Sequence, residues 1–251
     1  MKNHHLDLVR VTEAGAIAAA NWVGRGNKEE ADKAATGAMT DRLNKIDFSA
    51  EISIGEGKKD KSFGLFKGDN VGKNVKKDSL FEYSIAIDPI EGTTPTSVGG
   101  YEAMSVIALA NHNCFFDTEE HYMYKLAVRP SLVSPEMKAN NSITSVVKLA
   151  SLIKPMNRIT VCMLDRPRHT GMIEELRACG CRIKLIQDCD VTACIATCTP
   201  DSSIDIYVGV GGSPEAVIAA AAMKCMGGWF QTMIGDKDGN KVGDKVYEIE
   251  D

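Results

Sequence analysis

From residue 158 onward the chain changes its hydrophobic period at short intervals. RITVCML (158–164) is an apolar run of strand length, and TGMIEELRACG (170–180) repeats its apolar positions at helical spacing. The same succession recurs in CRIKLIQ (181–187) with VTACIATC (191–198), then in IDIYVGV (204–210) with SPEAVIAAAAMKCM (213–226). Parallel strands need a crossover between them, and each helix supplies one. The stretch therefore reads as a parallel, doubly wound α/β unit. Ligands of such sheets gather beyond the carboxyl ends of the strands.

The first half has a different rhythm. Helical spacing runs over 8–23, stopping at Gly24, and again over 28–44. Strand-like runs follow at 50–55, 83–88 and 105–111, with a Lys-, Gly- and Asp-rich excursion at 58–78 that reads as a hairpin or loop. VRPSLVSPEMKANN (128–141) contributes prolines and a polar run where the rhythm changes, which divides the chain into an α+β half over 1–140 and an α/β half over 141–251. The tail GGWFQTMIGDKDGNKVGDKVYEIED (227–251) is glycine-rich, charged and without a clear period. Its DKDGN stretch is no calcium loop, because the glycine falls at the fourth position instead of the sixth. GDNVGKN (68–74) likewise fails as a phosphate loop, its glycines being too close and its lysine followed by Asn74.

Charge and composition narrow the function classes. Lys and Arg total 29 against 34 Asp and Glu, a net charge of −5, and no basic stripe is interleaved with aromatics, which argues against nucleic acid. No apolar stretch approaches the roughly 20 residues that span a bilayer. The start lacks the basic and apolar regions of a secretion signal, so a cytoplasmic protein is expected. Five of the eight cysteines (Cys179, Cys181, Cys189, Cys194 and Cys198) fall close together, but their spacing matches no strong zinc pattern, and buried, reduced thiols are expected.

Carboxylates mark the candidate site. Asp32 lies early in the second helix, Glu56 in IGEG, Asp88 and Glu91 in DPIEGT, and Glu215 in GGSPE. Those after Asp32 follow strand-like runs, whose ends converge on one rim in an α/β sheet. Taken singly, each such residue reads as a helix cap or a solvated turn. DPIEGT is harder to explain so: Pro89 constrains the turn, Gly92 permits close backbone approach, and Thr93 and Thr94 open the next helix. Carboxylates gathered without lysine or arginine repel one another, and a divalent cation relieves them. Ligation by oxygen alone favours Mg2+ or Mn2+.

The stretches LVRVTEAGAIAAANWVGRGNKEEADKAA, IGEG, DPIEGT, YMYKLAV, RPRH, DCDV and GVGGSPEAV, in that order, resemble the class II fructose-1,6-bisphosphatases, in the metal-dependent, lithium-sensitive phosphatase superfamily that includes inositol monophosphatases. The resemblance covers about residues 8–228. It implies a layered αβαβα sandwich and hydrolysis of the 1-phosphate of fructose 1,6-bisphosphate, with sedoheptulose 1,7-bisphosphate as a further substrate. It implies Mn2+ or Mg2+ held by Asp32, Glu56, Asp88, Glu91 and Glu215. Thr93 would orient the attacking water and pass its proton towards Asp32, with Glu56 helping to hold the metals. Glu91, Gly92 and Thr93 would cradle the reacting phosphate. Tyr122, Arg166, Pro167, Arg168, Asp188, Cys189, Asp190 and Gly212 would contact substrate, the arginines on the second phosphate and the aspartates on sugar hydroxyls.

The chain also departs from that pattern. Cys189 stands where the family usually has glycine between two aspartates, and KKD follows GEG in place of a more acidic stretch. No segment similar to the family's SDNVIFSATG is present, so the second sheet is expected to lack a piece, leaving an edge for a partner or a second copy to cover. A homo-oligomer is therefore expected. Two rivals remain on the same residues: a phosphatase of the superfamily acting on inositol or nucleotide phosphates, and a shortened, catalytically impaired relative that binds metal or sugar phosphate or dimerises.

Overall fold

The computed structural model describes residues 3–55, 64–76, 80–117, 119 and 121–250. They fall into two compact units, Met1–Asp117 and Thr118–Asp251. The second unit thus begins ahead of the change in sequence rhythm.

In the first unit, helices α1 (His5–Ala20) and α2 (Lys28–Leu43) precede strands β1 (Ala50–Ile54), β2 (Asn70–Val71) and β3 (Tyr83–Glu91), a short helix α3 (Thr93–Val98) and strand β4 (Met104–Asn111). Helix α2 starts where Asn27 accepts the Glu30 backbone N–H at 3.1 Å, which satisfies one of the donors a helix start leaves over. Among the described residues the sheet order is β2-β1-β3-β4, with β1 parallel to β3 and the other pairs antiparallel. Alternation sends Tyr83, Ile85 and Ile87 to one face, where they bury against Val11 of α1 and Met39 and Leu43 of α2.

One expectation changes here. The strand read as ending at Asp88 continues to Glu91, and the proline lies within it. Asp88 pairs with Val106 and Glu91 with Met104, so three steps on β3 match two on β4. That is a β-bulge, a position where a strand tolerates proline.

In the second unit, strand β5 (Tyr122–Val128) leads to helix α4 (Ile143–Ser151), strand β6 (Thr160–Leu164), helix α5 (Thr170–Cys179), strand β7 (Arg182–Ile186), helix α6 (Asp190–Ala196), strand β8 (Ile206–Gly212), helix α7 (Ser213–Met226) and strands β9 (Trp229–Ile234) and β10 (Tyr247–Glu248). The sheet order is β10-β9-β5-β8-β6-β7. The expected parallel unit is present as β7, β6 and β8. The sheet as a whole is mixed: β5 is inserted antiparallel between β8 and β9, which run the same way on either side of it. Alternate residues of the central strands, Leu126, Val128, Val161, Met163, Val208 and Val210, bury against α4 and α5. Helices α6 and α7 pack on the strands as well, and the residues between those alternates (Lys125, Tyr207, Gly209 and Gly211) belong to the opposite face.

The tail, read as irregular, supplies β9 and β10 to this sheet. Its period was hidden because both faces of β9 are buried and its polar residues have partners. Gln231 accepts the Ala139 backbone N–H at 2.8 Å and donates to Glu248, while Thr232 donates to the Tyr124 carbonyl at 2.7 Å. The short β10 pairs with the outer edge of β9 at Gln231 and Thr232. Helix α4 also emerges just past the polar 128–141 run, started by Ser142, whose side chain accepts the Ser145 N–H.

Candidate active site

The bulge explains why two carboxylates three residues apart can act together. In a regular strand such residues point to opposite faces. Val106 and Met104, two apart on β4, share a face, so their partners Asp88 and Glu91 share one too. Tyr83, Ile85 and Ile87 take the helix-covered face, which assigns Asp88 and Glu91 to the other. Glu91 is buried and Asp88 half-buried. Ser105 Oγ donates to the Pro89 carbonyl at 2.6 Å and fixes the bulge from β4.

Gly92 follows with φ at 97° and ψ at 50°, the left-handed region that glycine enters without strain. Its carbonyl accepts both the backbone N–H and the hydroxyl of Thr96, at 3.1 and 2.9 Å, which turns the chain into α3 behind Thr93. Helix α2 packs against β3 and α3. Lys28 in its first turn donates to Thr94 Oγ1 at 2.7 Å, and Asp32 lies four residues on, on the same helix face. Burial pushes the Asp32 carboxyl above its ordinary range. Glu56 lies outside the described residues. Gly55 before it is closely overlain, since a Cβ there would sit 2.1 Å from the Leu65 carbonyl oxygen.

The second group of residues gathers at the carboxyl ends of three parallel strands, as expected for a doubly wound sheet. Arg166, Pro167 and Arg168 follow β6, Asp188, Cys189 and Asp190 follow β7, and Gly212 and Glu215 close β8 and open α7. Tyr122 starts the antiparallel β5 directly opposite Gly212. The Arg168 guanidinium lies over the Tyr122 ring at 5.3 Å, and its Nε donates to the Val210 carbonyl at 2.9 Å. Arg166 Nη2 donates to Asp188 Oδ1 at 2.8 Å, so these two expected substrate contacts also hold each other. Cys189 caps α6 with φ at 76°, a left-handed conformation that suits glycine and strains a side chain.

The sequence reading missed Lys125. It lies in the middle of the apolar run YMYKLAV and is fully buried, and its Nζ donates to Asp190 Oδ2 at 2.6 Å. Burial alone would push this ammonium down, but Asp190 and, next, Glu215 outweigh it and hold the group above its ordinary value. Tyr207 donates to the same Asp190 oxygen at 3.4 Å. The glycines of GVGGSPE make room for the carboxylates: a Cβ on Gly211 would sit 2.6 Å from Asp190 Oδ2, and one on Gly212 would sit 2.2 Å from Glu215 Oε2. The signal was a lone charge in a run buried on both faces, which requires a partner.

His169, which ends the RPRH stretch, is a structural residue. It is fully buried, its Nε2 accepts the Val210 N–H at 2.9 Å, and its Nδ1 donates to the Leu164 carbonyl at 2.8 Å. Only the neutral ring can make both bonds. Burial, with Arg168 and Arg166 adding to it, holds its pKa below the ordinary value. A lowered pKa means that the unfolded chain binds the proton more readily, so stability is full above about pH 6.5 and declines as pH falls below it. In urea titrations from pH 8 to pH 5, the stability gap between wild type and His169→Gln is expected to narrow on the acid side. A constant gap would show that the ring is not held neutral.

None of the eight cysteines is in a disulfide. Of the clustered five, Cys189 and Cys194 are buried and the others partly so, and burial raises the Cys181 and Cys198 thiols above their ordinary range. Among the described residues, no group of three or more His, Cys, Asp and Glu side chains stands ready to hold a metal. Of the expected ligands, Asp88 and Glu91 are the two brought to one face.

Comparison with known proteins gives the same family. The family model described as "Bacterial fructose-1,6-bisphosphatase, glpX-encoded" matches residues 2–245. Proteins named D-fructose 1,6-bisphosphatase class 2/sedoheptulose 1,7-bisphosphatase from Microcystis aeruginosa and from a Synechocystis species are each 38% identical over 249 residues, covering 95% of this chain and 72% of theirs. The protein of that name from Crocosphaera subtropica is 37% identical with the same coverage. With its bulged DPIEGT strand, its strand-end arginines and aspartates, and a match that runs almost from end to end, the chain belongs to the bacterial fructose-1,6-bisphosphatase family.

Proposed function

We propose that the protein is a phosphoric monoester hydrolase that removes the 1-phosphate of fructose 1,6-bisphosphate, and that it also accepts sedoheptulose 1,7-bisphosphate. The family match over residues 2–245 supports the reaction class. The observation that carries the site is the bulge that gives Asp88 and Glu91 a common face, directly ahead of the Gly92–Thr93 turn.

The donor set fits a divalent cation. It consists of carboxylate oxygens, the type that Mg2+ and Mn2+ prefer. Asp32 is a desolvated carboxyl, the kind whose ionised form gains most from a nearby cation. Asp32, Glu56, Asp88, Glu91 and Glu215 would hold it. When bound, such an ion lowers the pKa of a water and neutralises charge on the phosphoryl group. In this reading the Thr93 hydroxyl orients the attacking water, and the Asp32 carboxylate takes its proton. Glu91, Gly92 and Thr93 cradle the reacting phosphate. Arg166 and Arg168 hold the second phosphate through forked N–H donors, and Asp188 and Asp190 accept from sugar hydroxyls. Arg166 gives one nitrogen to Asp188, and its other N–H groups are the ones that would meet the second phosphate.

Among the described residues no helix is long and apolar enough to cross a membrane. We take the enzyme to act in the cytoplasm on a small sugar bisphosphate, as a homo-oligomer. The test is inorganic phosphate release from fructose 1,6-bisphosphate by the purified protein with Mn2+, with Mg2+ and with EDTA. Release with either ion and none with EDTA is expected. Release that persists in EDTA would remove the metal from the mechanism, and no release from folded, metal-loaded protein would overturn the substrate.

A further inference from the structure

We propose that Lys125 is a positioning residue for sugar recognition, holding the Asp190 carboxylate in one orientation so that its second oxygen is left for a substrate hydroxyl. This rests on the reading that Asp190 contacts the sugar.

The geometry is specific. Lys125 lies on β5 directly across from Gly209 of β8, and its Cε would sit 3.5 Å from a Cβ on Gly211, two residues further along that strand. Its Nζ reaches Asp190 Oδ2 at 2.6 Å on the first residue of α6. The Tyr207 hydroxyl approaches the same oxygen at 3.4 Å. Gly211 lies against both groups: a Cβ there would sit 2.6 Å from Asp190 Oδ2 and 3.1 Å from Lys125 Nζ. One carboxylate oxygen is thus engaged by two donors from the sheet, and the strand is pared to glycine where the pair sits. Asp188, on the other side of Cys189, is by contrast about one-quarter exposed and bonded to the guanidinium of Arg166, itself about one-third exposed. The two aspartates are therefore not equivalent, and Asp190 is the one fixed before substrate arrives. A carboxylate fixed in advance loses less freedom on binding, which favours affinity over turnover.

A simpler reading is that Lys125 only offsets a buried charge, in which case its loss would damage every property of the enzyme together. Three variants separate the two: Asp190→Asn, Lys125→Met, and both combined. The double variant matters because Lys125→Met alone leaves a buried carboxylate without its cation and can fail to fold. For each folded variant, kcat and KM for fructose 1,6-bisphosphate are measured. The inhibition constant of inorganic phosphate and the metal concentration giving half-maximal activity are measured beside them.

KM is expected to rise about tenfold in each single variant, in line with the loss of a charge-assisted hydrogen bond. It should rise little further in the double variant, because the Asp190 charge that Lys125 orients is then already gone. Turnover, phosphate inhibition and metal requirement should stay within about threefold of wild type. If Asp190→Asn raises KM but the double variant raises it substantially further, or if metal requirement or phosphate inhibition shifts as much as KM, the positioning role is wrong while the sugar contact stands. If Asp190→Asn leaves KM unchanged, the sugar contact itself is wrong and the inference falls with it.

Discussion

Asp88→Ala is expected to lower metal-dependent phosphate release at least about a thousandfold, roughly 4 kcal/mol of transition-state stabilisation, while the protein remains folded. The side chain is half-buried and stands at the paired end of the bulge, where the backbone pairs with Val106 of β4. Pro89 is held from β4 by Ser105, and Ile90 packs with Ala19, Ala31 and Ala35 of the two helices. What the substitution removes is one of the two carboxylates that share a face, and with it charge that would hold the cation. Phosphate release at saturating metal, read beside circular dichroism and a melting curve, separates loss of chemistry from loss of fold. Activity within tenfold of wild type would overturn the assignment of the site to this strand.

The second large effect concerns stability. Asp205→Ala is expected to cost about 3–5 kcal/mol, a large share of the 5–15 kcal/mol that holds a typical domain. Asp205 is buried, and its Oδ1 accepts Arg129 Nε at 3.1 Å. Its Oδ2 accepts Lys154 Nζ at 2.6 Å and the Thr160 N–H at 2.9 Å. Arg129 further donates to the carbonyls of Ser202 and Ile204, at 2.7 and 2.8 Å. One carboxylate thus joins the end of β5, the start of β6 and the segment that enters β8. Removing it leaves a largely buried guanidinium without its counter-charge. These groups lie at the amino end of β8, the far end of that strand from Gly212, so activity per folded molecule should be unchanged. Urea unfolding gives the first quantity and turnover below the transition gives the second. A loss under 1 kcal/mol would mean that water replaces the carboxylate.

The alternating periods of 158–226 were enough to read β6, β7 and β8 with their helices, because each element there buries a regular face. Strand β9 escaped the same reading: Gln231 and Thr232 occupy buried positions satisfied by Ala139 and Tyr124, partners more than ninety residues away. Lys125 was hidden in the same manner, its partner being 65 residues distant. The carboxylates of DPIEGT could be read as a group from their types and spacing. How they come to share a face could not, because a bulge is a relation between two strands and is written in neither alone. Arg166 and Asp188 were assigned to substrate separately, and only the folded chain brings them into contact.

The bulge also makes chain length within β3 a property of the site. Each residue added to or taken from a strand reverses the direction of everything after it, so the count between Asp88 and Glu91 acts as a reading frame. An odd spacing works only because one residue is left out of the pairing with β4. Losing either Pro89 or Ile90 would restore regular pairing, with two steps on each strand, and would leave the carboxylates facing the same way. The Gly92 turn would keep its place against β4, because Glu91 would still pair with Met104. The bulge thus lets Asp-Pro-Ile-Glu carry a proline inside the strand while both carboxylates keep the common face.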